Sequence, residues 1–179
     1  MNYIIGVDLG LDGGVALLNG EGRLLRLEKM PVIKRTVKRK NTKAGVGYER
    51  EFDIKGCRLL LSEMPSASWG ARPMLVMEGG LYGQSAQAVR SLYRGEAIWE
   101  TLACVYGVPV QSVHPRTWQA YFGLRNDKDL TAAQNKATHR ARATELWPEY
   151  AKQFAPVGAD GLADAALLAE YVRRTGGES

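Results

Sequence analysis

Cysteine and histidine are scarce in this chain of 179 residues, which holds two of each. Cys57 and Cys104 lie in apolar segments, Gly-Cys-Arg-Leu-Leu-Leu and Leu-Ala-Cys-Val-Tyr, with no CxxC spacing and no histidine at zinc-ligand distance. That excludes a disulfide framework and a structural zinc site, and both thiols are expected to be reduced core residues of a cytosolic protein. His114 and His139 are far apart, leaving a histidine-based metal site little to build on, and no Ser-His-Asp or Cys-His nucleophile set is visible. Long apolar runs are missing too: no uncharged stretch would span a bilayer. The N-terminus, Met-Asn-Tyr-Ile-Ile, has no basic leader, and its apolar run is broken by Asp8. The expected protein is soluble, cytoplasmic and free of membrane contact. Repeats and low-complexity tracts are absent apart from a polar C-terminus, so we expect a single domain over 1–175, with 176–179 as a flexible tail. An apolar fraction of 45% and an aromatic fraction of 8% suit a globular core.

Net positive charge is present, but concentrated in one place. Residues 34–50 hold seven basic side chains (Lys34, Arg35, Lys38, Arg39, Lys40, Lys43 and Arg50) against Glu49 alone, so this stretch carries +6 and the rest of the chain −1 of the net +5. Such a basic loop suits a polyanion such as nucleic acid, because each neutralised phosphate releases condensed counterions. A solvated loop without a ligand accounts for the charge equally well.

The hydrophobic pattern predicts an opening antiparallel meander over Tyr3–Leu9, Gly14–Leu18 and Arg23–Met30. The basic stretch, with Gly45 and Gly47, reads as a long loop or loose hairpin. Asp53 is placed to cap a helix carrying Cys57, Leu60, Leu61 and Met64. Pro73–Glu78 is a short apolar run typical of a parallel strand buried on both faces. Gln84–Tyr106 is helical in pattern, and Val108–Val113 returns to strand, completing a βαβ crossover. A short helix over Pro115–Phe122 follows. Thr131–Trp147 is a longer helix, opened by a Thr131/Gln134 capping box and stopped by Pro148. A last helix runs from near Asp160 to about Arg173. The sum is an α/β fold: a mixed five-stranded sheet, strands one to three antiparallel and four and five parallel, with helices on both faces.

Two acids sit where burial should exclude them. Asp8 follows Ile-Ile-Gly-Val, and Glu78 ends Met-Leu-Val-Met. An unpaired buried carboxylate costs several kcal/mol, on the order of the desolvation penalty of one ion, and is relieved by a cation or a raised pKa. Either acid alone is also explained by escape to solvent or by pairing with an arginine. Asp160 and Asp164, at i and i+4, share one helix face, and Asp164 lies among Ala and Leu that should pack on the sheet. Asp160 is also read as a helix N-cap. Four oxygen-bearing side chains suit Mg²⁺, with Mn²⁺ as a substitute, and disfavour zinc. Two such ions, about 3.5–4 Å apart, support in-line phosphodiester hydrolysis.

Three stretches taken in order, Ile5-Gly-Val-Asp8-Leu-Gly-Leu-Asp-Gly-Gly-Val-Ala, Met77-Glu78-Gly-Gly-Leu-Tyr82-Gly-Gln and Asp160-Gly-Leu-Ala-Asp164-Ala-Ala-Leu-Leu-Ala, resemble the RuvC-type Holliday-junction resolvases, in particular their bacteriophage-encoded relatives. The resemblance covers nearly the whole chain. It implies a ribonuclease H-like fold, a homodimer and paired Mg²⁺-dependent nicks across a four-way DNA junction, with two ions per site. It further implies that Asp8, Glu78, Asp160 and Asp164 are the catalytic metal ligands. The family often separates its last two ligands by three residues, whereas four separate them here. Tyr82 falls where relatives carry an aromatic thought to stack at the crossover. Val113-His-Pro-Arg116-Thr-Trp118-Gln119 resembles a Pro-x-x-Trp-Lys stretch, with Gln119 in place of the lysine, so Lys136, Arg140 and Arg142 are the candidate phosphate contacts. Arg116 and the loop residues Lys38, Arg39 and Lys40 complete the expected DNA-binding set. Small and apolar residues on the 84–106 helix (Ala86, Ala88, Leu92, Gly95, Trp99) mark it as the expected dimer interface.

Two alternatives stay open. The same fold serves nucleases of RNA·DNA hybrids, forks or flaps. The Asp8–Gly14 segment also resembles the phosphate loop of the actin and sugar-kinase superfamily, which duplicates its domain around ATP.

Overall fold

A computed structural model describes residues 2–38, 45–65, 72–79, 86–124 and 128–176. Its strands are β1 (Asn2–Val7), β2 (Gly14–Asn19), β3 (Leu24–Lys29), β4 (Val32–Lys38), β5 (Val46–Phe52), β6 (Arg72–Glu78) and β7 (Val110–Val113). The helices are α1 (Ile54–Ser62), α2 (Ala86–Val105), α3 (Pro115–Tyr121), α4 (Ala132–Leu146), α5 (Ala151–Phe154) and α6 (Asp160–Thr175). Five strands form one sheet in the order β3-β2-β1-β6-β7. β1–β2 and β2–β3 are antiparallel, while β1–β6 and β6–β7 are parallel. The meander, the crossover and the mixed sheet match the expectation from sequence. The described residues build one such sheet, not the duplicated pair that an actin-like cleft requires.

Alternation along the strands splits the core into two layers, because successive side chains leave a strand on opposite faces. Ile4, Ala16, Leu18 and Val76 pack with Trp118, Phe154, Leu167 and Leu168 on one side. Ile5, Val7, Leu17, Leu75 and Met77 pack with Cys57, Leu60 and Trp99 on the other. α6 is the most deeply buried helix, and its alanines let it sit directly on β1. The close fit requires Gly6, since a Cβ there would lie 2.0 Å from the Ala165 carbonyl oxygen.

Local signals hold at the helix starts. Asp53 accepts a hydrogen bond from the Gly56 amide at 3.0 Å, and Thr131 with Gln134 forms the expected capping box. Of the two readings of the basic stretch, the hairpin holds over the described residues and the long loop does not: β4 and β5 pair in regular antiparallel register from Val32↔Phe52 to Lys38↔Val46, as a separate two-stranded sheet. Two further readings need correction. Cys57 is buried, but Cys104 is exposed, because it falls on the outer face of α2. The same helix geometry removes part of the expected dimer surface. Trp99 is fully buried, and Gly95 is packed so tightly that a Cβ would meet the Leu9 carbonyl oxygen at 2.7 Å and the Phe52 ring at 3.0 Å. Those two residues serve contacts within the chain. Tyr93 and Val105 stand on the outward face of α2.

Candidate active site

β1 and β6 run parallel, with Val7 opposite Met77, so Asp8 and Glu78 emerge side by side at the carboxyl ends of the two central strands. Ligands of open α/β sheets gather at that edge. The chain then turns sharply: the Asp8 amide donates to the Gly14 carbonyl, and Asp8 Oδ1 accepts from the Gly10 amide at 3.3 Å. The first turn of α6 rests against this turn through a bridge between Gly13 and Gly161. A Cβ on Gly161 would lie 2.4 Å from Gly13 Cα and 2.7 Å from Asp8 Oδ2, so only glycine lets the helix come this close. One turn further on, α6 presents Asp164.

Two side chains that the sequence reading did not single out as site residues tie these acids together. His139, 7% exposed on α4, sits with Nδ1 at 2.7 Å from Asp164 Oδ1. Its ring meets the fully buried Trp118 edge to face at 5.6 Å. Trp118 Nε1 in turn donates to Glu78 Oε1 at 2.8 Å. The chain of contacts Asp164–His139–Trp118–Glu78 thus runs behind the acids and fixes their orientation. The sequence signal for His139 was faint, because α4 buries only His139 and Ala143 and has almost no apolar stripe.

Crowding shows in the acid strengths. Burial, then the charge of Asp164, lifts Asp8 from 3.8 to about 7, with the Gly10 amide and Lys136 pulling the other way. Burial, then Asp8 and Asp164, lifts Glu78 from 4.5 to about 8, against the Trp118 hydrogen bond and the charge of His139. For His139 burial acts downward, but the hydrogen bond and charge of Asp164, with Leu124 and Glu78, outweigh it and hold the imidazole above its usual range. The site therefore carries negative charge without enough positive charge to balance it.

Asp8, Asp160, Asp164 and Lys136 line one cleft of about 550 Å³. Asp160 is placed differently from its neighbours. It is the first residue of α6, not its N-cap, which is Ala159. Its carboxylate is paired with Arg140 and lies 3.6 Å from Lys136 Nζ. Those two expected phosphate contacts are thus engaged with an acid of the cleft. Arg142 pairs with Glu145 at 2.7 Å and lies over the Phe122 ring, whereas Arg116 is exposed at the start of α3. Lys38 ends β4; Arg39, Lys40 and Tyr82 lie outside the described residues.

Among the described residues no group of three or more His, Cys, Asp or Glu is spaced to hold a metal ion with the side chains as they stand. Glu78 is turned onto Trp118, Asp164 onto His139 and Asp160 onto Arg140. The donor chemistry nonetheless fits a hard divalent cation: carboxylate oxygens suit such an ion, and Asp8 and Glu78, raised first by burial and then by neighbouring acids, gain most from an added positive charge.

This architecture is the ribonuclease H-like fold. The chain superposes on RuvC of T. thermophilus in complex with a Holliday junction substrate with a TM-score of 0.61 and 17% sequence identity, over 97% of this chain and 96% of that one. A second Thermus thermophilus RuvC structure gives 0.60 and 16%, over 98% and 97%. No protein-family model and no curated protein matches the sequence. Among the described residues no helix is long and apolar enough to cross a membrane.

Proposed function

We propose that this chain is a structure-selective endonuclease that cuts four-way DNA junctions by paired, Mg²⁺-dependent hydrolysis of phosphodiesters. The observation that carries the reading is the pair Asp8 and Glu78. Two carboxyls from adjacent parallel strands are forced toward neutral pKa at the ligand-binding edge of a ribonuclease H-like sheet, with Asp164 beside them. Asp8, Glu78 and Asp164 are the residues that would hold the ions, after Glu78 and Asp164 turn partly away from Trp118 and His139. Divalent ions bound there supply an activated water and stabilise the leaving 3′ oxygen. The protein's own part is orientation. Trp118 steadies Glu78, and His139 steadies Asp164. Lys136 and Arg140 hold Asp160 and bring positive charge to the cleft rim, where a substrate phosphate enters. Asp160 acts in this reading as the anchor of those cations.

Paired nicks need two sites related by two-fold symmetry, so we propose a C₂ homodimer. Its contact is moved to the outward face of α2, around Tyr93 and Val105, since Gly95 and Trp99 are used within the chain. The deciding experiment digests a four-way junction, a fork, a flap and an RNA·DNA hybrid with wild type and Asp8→Asn, with Mg²⁺ and with EDTA. Symmetric nicks on the junction, lost in the variant and in EDTA, are expected. Preferred cutting of the fork, flap or hybrid would overturn junction specificity, and cutting that survives Asp8→Asn would overturn the site.

A further inference from the structure

A second cavity, about 390 Å³, adjoins the acid cleft between the β4–β5 hairpin and α2. Its walls carry Arg35 and Arg50 from the hairpin and Arg90 and Arg94, one helical turn apart, from α2, against Glu49 and Glu51. Four arginines against two glutamates leave this lining at +2, in contrast to the acid cleft next door. The two cavities are neighbours: Leu11 and Ser91 line both. At their junction Arg50 reaches across, Nη1 donating to Asp12 Oδ1 at 2.7 Å and Nη2 to the Leu11 carbonyl at 2.6 Å. Asp12 itself lines the acid cleft. The hairpin is thus braced against the turn that carries Asp8, and its arginines line a groove beside the acid cleft. Glu51 holds two of them, at 3.5 Å from Arg94 and 4.0 Å from Arg35. Arg35 and Arg94 remain 69% and 50% exposed, so their guanidinium groups are open to a stronger anion.

We infer that this arginine groove is a phosphate-binding subsite for the DNA strand on its way into the acid cleft, with the hairpin as a clamp that sets how the strand enters. The inference rests on the reading of that cleft as a site of DNA cleavage. A phosphodiester displaces Glu51 from Arg35 and Arg94, and planar guanidinium groups engage its oxygens in bidentate fashion. Arg50 stays on Asp12 and keeps groove and cleft in register.

The test measures anisotropy of a labelled four-way junction with the full chain carrying Asp8→Asn, without divalent metal, across a salt series. In that background, Arg90→Gln/Arg94→Gln is expected to weaken binding about tenfold or more at 0.1 M salt, and to flatten the slope of log affinity against log salt by about two. Glu51→Gln, which removes the competing anion, is expected to tighten binding several-fold. Lys55→Gln/Lys152→Gln removes the same charge at residues that do not line the groove and is expected to change little. The subsite is refuted if the arginine pair and the lysine pair weaken binding equally, or if Glu51→Gln leaves it unchanged or weaker. Should the arginine variant melt early, the direction of the Glu51→Gln effect still decides. If the Asp8→Asn parent itself binds neither junction, fork nor duplex at low salt, the cleavage reading fails; if the parent binds and only the groove variants are silent, that reading stands and the groove falls alone.

Discussion

Replacing Asp8 with asparagine should stabilise the metal-free protein, and most strongly at high pH. In the unfolded chain the carboxyl ionises near 3.8, whereas the folded protein keeps its proton until about 7. Because the folded pKa is the higher one, stability from this group is greatest below 3.8, declines as pH rises through that window, and is fully lost above about 7. At 1.36 kcal/mol per pH unit the full penalty is about 4 kcal/mol. Water in the open cleft screens part of it, and about 2 kcal/mol is the figure to expect. Asparagine keeps the shape and the Gly10 contact but carries no charge. It also removes a charge that raises Glu78. For a chain of this length the gain is about 4–8 °C in Tm at pH 8.5, shrinking to about 1–2 °C at pH 4.5. Thermal melts in EDTA at the two pH values measure it. Adding Mg²⁺ at pH 8.5 should reverse the order, since ligand binding stabilises only the protein that binds it. A variant that melts at or below wild type at pH 8.5 in EDTA would refute the claim that Asp8 is a strained, uncompensated charge.

Three further outcomes follow from the same geometry. Trp118→Phe removes the donor to Glu78, which lowers that acid's pKa. Glu78 should rise further, moving the ascending limb of the pH–cleavage profile to higher pH, at a cost of about 1 kcal/mol in stability by denaturant titration. Gly161→Ala places a methyl 2.4 Å from Gly13 Cα, so α6 must retreat from the Asp8 turn; cleavage should fall at least tenfold, and Tm should drop on the scale of about 1–3 kcal/mol of overpacking. Phe154→Ala empties a fully buried position that does not line the acid cleft and should cost about 3–5 kcal/mol, while the surviving folded protein keeps its Mg²⁺ dependence in the digestion assay.

Which residues could be read from the chain alone follows a physical rule. Asp8 and Glu78 were visible because each interrupts a run of side chains that must be buried, and a charge in such a place is costly wherever the strands finally pair. Asp164 was visible for the same reason on a helix. The capping box at Thr131 and the Asp53 cap were legible because a cap is a contact within three residues. His139 and Trp118 were not legible as a unit: 21 positions separate them, and only the docking of α4 and α3 onto α6 sets one ring against the other. Asp160 shares a helix face with Asp164, a spacing the chain shows, but the pairing of its carboxylate with Arg140 and Lys136 from another helix was not legible there.

The sequence by itself determined the order and kind of the elements and the acids that burial would penalise, because periodicity and desolvation act along the chain regardless of what packs against it. Only the tertiary structure decided which charges meet. It alone chose the hairpin over the loop for the basic stretch, joined its arginines to those of α2, and pressed α6 against the Asp8 turn. Electrostatic energy depends on separations of a few ångströms between residues distant in the chain, and those separations exist only once the layers have packed.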